Sequence, residues 1–293
     1  MVKLKFAVLI ITILSSSLLS ACYGDGEFVE ARKINVISRE DGSGTRRAFI
    51  EMLGIEVTDD AGTRDLTSTK AVVAPGTSQV ITAISGDLYA IGYISLGTLS
   101  DSVRAVAMDG VAASPENVLN GTYPLFRAFE IVVGDDISLL AQDFIDFILS
   151  AQGQAVVSGR GYVVVDESAP QYVPSVTLRG TIDVIGSSSV TPLMERLKEA
   201  YEKLNPDASI QIQMSGSSAG IAAAISGTAD IGMTSRPLRE TEAAQLQNIH
   251  IAYDGLVVIV NPNNPLESLS QDEVRSIFIG ELTEWNALFK QEE

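Results

Sequence analysis

Residues 182–206 read IDVIGSSSVTPLMERLKEAYEKLNP and combine a strand, a turn and a helix in one run. The β-branched start predicts a buried strand, and the apolar residues from 192 onward recur at helical spacing. Pro192 stands near the helix start, where a proline is tolerated. Because short apolar runs alternate with helical patterns along the rest of the chain, the sequence predicts an α/β protein with mostly parallel sheets.

The same strand-to-helix turn recurs in residues 214–220 (MSGSSAG) and 39–45 (REDGSGT), with a weaker copy in 75–78 (PGTS). In parallel sheets such turns lie at the carboxyl edge, where ligands bind. Helix N-termini present unpaired N–H groups there, and serine and threonine hydroxyls add donors. One such loop is an ordinary turn or cap. Three loops, with Arg39 and Arg236 at strand ends, favour an anion pocket.

Two of these loops are followed by similar sequences, which suggests an internal duplication. Residues 216–232 read GSSAGIAAAISGTADIG, and residues 76–92 read GTSQVITAISGDLYAIG. Two related lobes that face one cleft would produce this echo. A coincidence of small residues is the alternative.

The first residues have the pattern of an export signal. An apolar run over residues 6–19 follows a basic start and ends in LSAC (19–22). The run is shorter than the ~20 apolar residues of a membrane span, and its last four residues resemble a bacterial lipobox. We therefore predict a signal peptide over residues 1–22 and an extracytoplasmic lipoprotein anchored to the cell membrane through Cys22, the only cysteine. An ordinary secretory signal beside a free thiol is the alternative.

The chain is strongly acidic. Its net charge of −17 would become −19 if Lys3 and Lys5 were removed with the signal. No nucleic-acid partner is expected for such a chain. An acidic protein also gives an anion no long-range attraction, so an anion site must rely on local dipoles and a few placed cations.

An enzymatic function is an alternative, because residues 216–220 fit the G-x-S-x-G nucleophile elbow, with Ser218 as the nucleophile. That motif needs a histidine base held by a carboxylate. His250 is the only histidine and stands beside a predicted strand, where a structural role is the ordinary case. With so few histidines and cysteines, and no EF-hand spacing, neither a metal site nor a cofactor is expected. We predict that the protein is not an enzyme.

At these loops the sequence resembles the PstS-type phosphate-binding proteins, the receptors of high-affinity phosphate import systems. Besides the stretch quoted first, the resembling segments are SGSSAGIAAAISGTADIGMTSRPL, DGLVVIVNPNNP followed by IFIGELTEW, INVISREDGSGTRRAF and FIDFILSAQGQAVVSGRGYV. The resemblance covers nearly the whole mature chain. It implies a two-lobe periplasmic-binding-protein fold of type II, inorganic phosphate as ligand, and an ABC phosphate permease as membrane partner.

The resemblance also implies a set of phosphate-binding residues in these loops: Ser188, Ser189, Ser217, Arg236, Arg39, Asp41, Ser43, Gly44 and Thr45. Arg39 would be the bidentate cation. Asp41 would orient Arg39 or accept a proton from the ligand. Some family members carry an aspartate at the position of Arg236, where it accepts the phosphate proton. Arginine cannot accept a proton, so discrimination against sulfate would need another acceptor.

The order of the segments departs from the family pattern. In the family the GSSSV loop comes first and the REDGSGTR loop follows GELTEW, whereas this chain begins just before REDGSGTR and stops just after Trp285. We therefore predict a circular permutation, in which residues 167–181 join the family's old ends. With crossings near 125–130 and 260–265, the predicted lobes are a discontinuous lobe II, 28–127 plus 265–293, and a continuous lobe I, 128–264.

The sequence leaves two functions open. The chain is either a phosphate receptor that serves an ABC importer, or a phosphate-sensing or interaction protein derived from such a receptor. It is also compatible with a monomer or with a dimer that exchanges the C-terminal segment.

Overall fold

The computed structural model describes residues 27–59, 62–174 and 178–289. The predicted signal peptide and Cys22 lie outside these residues. In the ranges that are described, no helix has the length and apolar character needed to cross a membrane.

Strands and helices alternate along the chain, as the sequence predicts. The strands are β1 Asn35–Arg39, β2 Glu56–Asp59, β3 Gly62–Asp65, β4 Val72–Ala74, β5 Ala90–Ser95, β6 Arg104–Ala105, β7 Ala107–Met108, β8 Phe126–Val133, β9 Gly180–Gly186, β10 Ala208–Met214, β11 Ile231–Thr234, β12 Gln247–Val260 and β13 Ser268–Leu269. The α-helices are α1 Gly44–Met52, α2 Thr77–Ser85, α3 Pro115–Leu119, α4 Leu139–Ile148, α5 Ala151–Gly159, α6 Thr191–Leu204, α7 Ser217–Ile225, α8 Glu240–Ala243 and α9 Gln271–Ile279.

The stretch quoted first forms β9, a serine turn and α6. Pro192 lies in the first turn of α6, where its missing N–H breaks no helical hydrogen bond. The buried face of the helix consists of apolar residues at helical spacing, namely Leu193, Met194, Leu197 and Tyr201. This face packs in one hydrophobic core with β8, β9 and α4.

One long strand joins the two lobes. The main sheet has the order β10-β9-β11-β8-β12-β5-β1-β4. Residues 247–255 of β12 pair with β8, and residues 256–260 pair with β5. We call the part with β10, β9, β11, β8 and the first half of β12 lobe I, and the part with the second half of β12, β5, β1 and β4 lobe II.

The two lobes have equivalent topology. Lobe I places parallel β10, β9 and β11 beside antiparallel β8, and lobe II places parallel β4, β1 and β5 beside antiparallel β12. The segments with similar sequences occupy equivalent places, since β10-α7-β11 in lobe I corresponds to β4-α2-β5 in lobe II. The internal echo of the sequence therefore has a structural counterpart.

Lobe II is built from both ends of the described chain. Phe278 of α9 packs against Phe49 of α1 with ring centroids 4.7 Å apart, and Trp285 is fully buried in the same core. The C-terminal segment thus packs in the core of lobe II. The second crossing lies at Gly255–Leu256, earlier than the predicted 260–265, and Asn261 already donates to the Ile84 and Ser85 carbonyls of lobe II.

The segment predicted to join the family's old ends packs on lobe I. Tyr172 is buried against Phe147, with ring centroids 5.3 Å apart, and donates a 2.6 Å hydrogen bond to Asp143. The next strand, β9, belongs to the same lobe. Both ends of this connection therefore lie on one lobe, which is the condition for joining old termini in a permuted chain.

Candidate functional site

The strand-to-helix turns of the two lobes meet at the seam between them. Seven hydroxyl side chains gather there, each at most 6% exposed. We call this group the hydroxyl cluster: Ser187, Ser188, Ser189, Ser217 and Ser235 from lobe I, with Thr45 and Thr77 from lobe II. Helices α1, α2 and α7 all begin at the cluster, at Gly44, Thr77 and Ser217. The unpaired N–H groups of their first turns and their dipoles favour an anion at this place.

Hydrogen bonds across the seam hold the lobes together. The hydroxyls of Thr45 and Ser189 are 2.6 Å apart, and Thr77 lies 3.4 Å from both Ser188 and Ser189. The backbone N–H of Ser218 donates to the Gly42 carbonyl at 3.2 Å. The structure is therefore a closed arrangement of the two lobes.

Arg39 is the cation of the cluster and is only 1% exposed. Its Nη2 donates to the Ser188 hydroxyl at 2.8 Å, and its Nη1 lies 3.4 Å from the Thr77 hydroxyl. Its Nε and Nη2 also donate to the two carboxylate oxygens of Glu40, each at 2.7 Å. One guanidinium thus contacts hydroxyls from both lobes while a carboxylate fixes its orientation.

The carboxylate that orients Arg39 is that of Glu40 and not that of Asp41. The Asp41 side chain is 98% exposed and bonds to the guanidinium of Arg46 at 2.7 Å. Arg46 in turn donates to the Arg39 carbonyl at 3.1 Å. Asp41 therefore lies on the outside of the loop and does not contact the hydroxyl cluster.

The start of α1 fits tightly against lobe I. Ser43 caps the helix, because its buried hydroxyl accepts the N–H of Arg46 at 3.2 Å. The loop before it turns at Gly42, whose φ of +83° is a conformation that favours glycine. A Cβ atom on Gly44 would lie 2.9 Å from the Ser217 Cβ and 2.7 Å from the Ser235 hydroxyl. The absence of a side chain at Gly44 is what lets the lobes approach so closely.

Ser235 was missed by the sequence analysis, which placed Arg236 in the site. The Ser235 hydroxyl is fully buried and lies 2.9 Å from the Ser187 hydroxyl and 3.4 Å from that of Ser217. Its N–H donates to the Ser217 hydroxyl at 3.1 Å. The guanidinium of Arg236 instead donates to Glu242, at 2.8 and 2.9 Å. The available signal was the strand end at Thr234, from which either following residue could have faced the cleft.

Thr77 was also outside the predicted set, although its loop was identified as a weaker copy of the pattern. It is the first residue of α2 and stands within 3.4 Å of Arg39, Ser188 and Ser189. A cavity of about 440 Å³ opens beside Thr77 and Ser188 on one flank of the cluster. A smaller cavity of about 180 Å³ lies on the other flank, beside Ser43 and Arg236.

The bond between Arg236 and Glu242 predicts a pH effect on stability. The Arg236 guanidinium holds the pKa of Glu242 below its ordinary value of 4.5, against the opposing effect of burial. A carboxylate with a lowered pKa stabilises the fold at pH values above its unfolded pKa and loses this contribution as the pH falls through the folded pKa. We expect Glu242→Gln to cost about 1–2 kcal/mol of unfolding free energy at pH 7. The difference from wild type should shrink towards pH 3.5.

Urea unfolding at pH 7 and pH 3.5 measures this effect. Glu240→Gln on the exposed side of the same helix is the matched control, and we expect little change there at either pH. A cost of Glu242→Gln that stays constant between the two pH values would contradict the ion-pair explanation.

The nucleophile-elbow hypothesis finds no support in the geometry. His250 lies on β12 and its Nε2 is 2.9 Å from a carboxylate oxygen of Glu130. No hydrogen bond joins His250 to Ser218 in the part of the chain that the structure covers. Among these same residues, no group of three or more His, Cys, Asp or Glu side chains is placed to hold a metal ion.

Comparisons with known proteins agree with this architecture. The family model of the PBP superfamily domain matches residues 23–152 and 173–293. A phosphate-binding protein PstS 2 of Streptococcus agalactiae is 45% identical over 276 residues, which span 93% of this chain and 94% of that protein. A PstS 2 of Streptococcus pneumoniae is 47% identical over 255 residues and 87% of each chain.

A crystal structure is similar as well. The phosphate-binding protein of a phosphate ABC transporter from Streptococcus pneumoniae superimposes with a TM-score of 0.71 at 47% identity, over 87% of this chain and 99% of that chain. Since these alignments run through most of both chains, the relatives share this order of segments. The circular permutation relative to other members stays a prediction. The two-lobe α/β fold, the family model and the near full-length relatives together show that the chain belongs to the PstS phosphate-binding proteins of the PBP superfamily.

Proposed function

We propose that this protein captures inorganic phosphate in the hydroxyl cluster and delivers it to an ABC importer. The observation that carries the proposal is the buried guanidinium of Arg39, which directs N–H groups at hydroxyls from both lobes. The relatives described above are named phosphate-binding proteins, and one of them belongs to a phosphate ABC transporter. They are substrate-binding proteins, so the chain is a receptor and not an enzyme.

The cluster has the donors that a buried oxyanion requires. A phosphate removed from water needs a hydrogen-bond donor for nearly every lone pair. Charge-assisted hydrogen bonds contribute about 1.5–3 kcal/mol each, and micromolar binding needs about 8 kcal/mol, so four or five such bonds suffice. Arg39, the hydroxyls and the starts of three helices supply more than that number. The ion would bond to both lobes and so stabilise the closed arrangement.

The proposed phosphate contacts leave out two residues of the predicted set and add two others, Thr77 and Ser235. Asp41 and Arg236 are left out, because their side chains bond to Arg46 and Glu242. The proposed contacts are the cluster residues that face the seam and the start of α1: Arg39, Ser43, Gly44, Thr45, Thr77, Ser188, Ser189, Ser217 and Ser235. Hydroxyls both donate and accept, so the cluster also offers acceptors for a phosphate proton.

The receptor is proposed to act outside the cytoplasm, held at the membrane by a lipid on Cys22. The support for the anchor is the sequence LSAC at the end of an export signal. An anchor keeps the receptor near its permease. Fractionation of cells that express wild-type protein or Cys22→Ser would test the anchor, since only the wild type should stay with the membranes.

Calorimetric titration of the purified protein tests the ligand. The protein is first freed of bound ligand by partial unfolding and refolding, and is then titrated with phosphate and with sulfate. We expect one-to-one binding of phosphate with a Kd in the micromolar range or below, and weaker binding of sulfate. A folded protein that gives no heat with phosphate would contradict the proposal.

Transport coupling needs a separate measurement. Cells that lack this protein should take up phosphate more slowly when phosphate is limiting. Unchanged uptake together with altered expression of phosphate-responsive genes would favour the phosphate-sensing alternative.

A further inference from the structure

A second buried guanidinium lies beside the hydroxyl cluster, where the strands cross between the lobes. Arg127 on β8 pairs with Asp254 on β12, with 3.1 Å between Nη2 and Oδ2, and the two side chains are 2% and 0% exposed. Burial of an ion pair costs desolvation energy that the attraction between the charges seldom exceeds. Stability alone is therefore a weak explanation for this pair.

The ion pair connects Ser235 of lobe I to Ser95 of lobe II. On one side, Nη1 of Arg127 donates to the carbonyl of Ser235 at 3.3 Å. On the other side, the Asp254 carboxylate accepts a 2.7 Å hydrogen bond from Ser95 on β5 of lobe II. A continuous buried chain of hydrogen bonds thus runs from Ser95 through Asp254 and Arg127 to the backbone carbonyl of Ser235, whose side chain belongs to the hydroxyl cluster.

The two guanidiniums border the same seam, since Arg39 bonds to the Ser188 hydroxyl and Arg127 bonds to the Ser235 carbonyl. Burial lowers the pKa of Arg127, Asp254 opposes that change, and the positive charge of Arg39 adds to it. Two like charges at one seam repel each other in the closed arrangement. A bound anion between or beside them relieves that repulsion, so part of the binding free energy depends on Arg127.

We propose that Arg127 is a positioning residue for the anion, which holds Ser235 in the hydroxyl cluster and adds a positive charge that Asp254 moderates. It does not touch the ligand. This inference rests on the proposed function and extends it to strands β8 and β12, where the chain crosses between the lobes. It predicts that substitutions of Arg127 and of Asp254 change phosphate affinity in opposite directions. Arg127 increases the positive potential at the site and Asp254 decreases it.

The test compares Arg127→Met with Asp254→Asn in phosphate titrations of the purified protein. Arg127→Met should weaken phosphate binding about tenfold or more, and Asp254→Asn should tighten it about threefold. Thermal unfolding without phosphate measures the stability that each variant loses, because either substitution breaks the buried ion pair. A purely structural role would weaken binding in both variants, and such a result would overturn the proposal.

A second comparison applies if Asp254→Asn does not fold. Arg127→Lys keeps the charge but has a shorter reach to Ser235, so it should retain more affinity than Arg127→Met. Equal losses for Lys and Met at this position would overturn the proposal. If wild-type protein bound no phosphate, both the proposed function and this inference would fail. If wild-type protein bound phosphate and the Lys and Met variants lost affinity equally, only this inference would fail.

Discussion

Replacement of Gly44 by alanine is expected to weaken phosphate binding strongly while both lobes stay folded. The new Cβ would lie 2.9 Å from the Ser217 Cβ and 2.7 Å from the Ser235 hydroxyl, and closer still to the Ser217 hydroxyl. Those atoms belong to lobe I and Gly44 belongs to lobe II, so the added methyl group blocks the approach of the lobes. A change of serine rotamer cannot remove the clash, because the Ser217 Cβ is fixed to the backbone.

Lobe II itself should tolerate this change. Gly44 is the first residue of α1 and is not among the glycines with a positive φ, and alanine is a better helix former than glycine. The expected phenotype is therefore an open receptor with a normal unfolding temperature. We expect affinity to fall by about tenfold to a hundredfold, because overpacking typically costs the closed state about 1–3 kcal/mol.

Calorimetry and small-angle X-ray scattering measure the two parts of this prediction. Wild-type protein should become more compact with phosphate, and Gly44→Ala should not. Gly159→Ala is the matched control, since Gly159 ends helix α5 and a Cβ there meets nothing within 4 Å. Phosphate affinity of Gly44→Ala within twofold of wild type would show that closure does not require this contact.

The loops that form the site could be predicted from the sequence, because a strand that turns directly into a helix places its turn at one edge of the sheet. What the sequence does not specify is which of two adjacent residues faces that edge. Neighbouring side chains at a strand end point in opposite directions. Ser235 therefore faces the cluster while Arg236 faces Glu242. The same uncertainty applies to the loop of residues 39–45, where Asp41 was predicted to orient Arg39 and Glu40 bonds to it instead.

The boundary between the lobes could not be predicted from the sequence, for a different reason. Strand β12 runs unbroken from Gln247 to Val260, and its neighbour changes from β8 to β5 at Gly255–Leu256. Backbone pairing partners are set by tertiary contacts, so an apolar run such as LVVIV predicts a strand but not the lobe to which it belongs. The similarity between residues 76–92 and 216–232 indicates the two lobes better, because it compares whole strand-helix-strand units.

Arg39→Met is the second substitution that we expect to weaken phosphate binding strongly. It removes a positive charge and does not block the closure of the lobes. The substitution removes the cation that contacts Ser188 and lies 3.4 Å from Thr77, and it leaves the Glu40 carboxylate without the guanidinium that pairs with it. Loss of one partner from a buried charge pair commonly costs about 2–5 kcal/mol of binding free energy. We expect phosphate affinity to fall by at least about thirtyfold.

Arg47→Met is the matched control for this change, because it also removes one positive charge near the start of α1. Arg47 pairs with Glu51 and Glu56 on the surface of lobe II and does not contact the hydroxyl cluster. Phosphate titration should therefore give near wild-type affinity for Arg47→Met and a severe loss for Arg39→Met. Since Glu40 is 26% exposed and can be hydrated when its partner is removed, the fold should survive the substitution at position 39. Equal, small losses in both variants would mean that the cation holding the phosphate lies elsewhere.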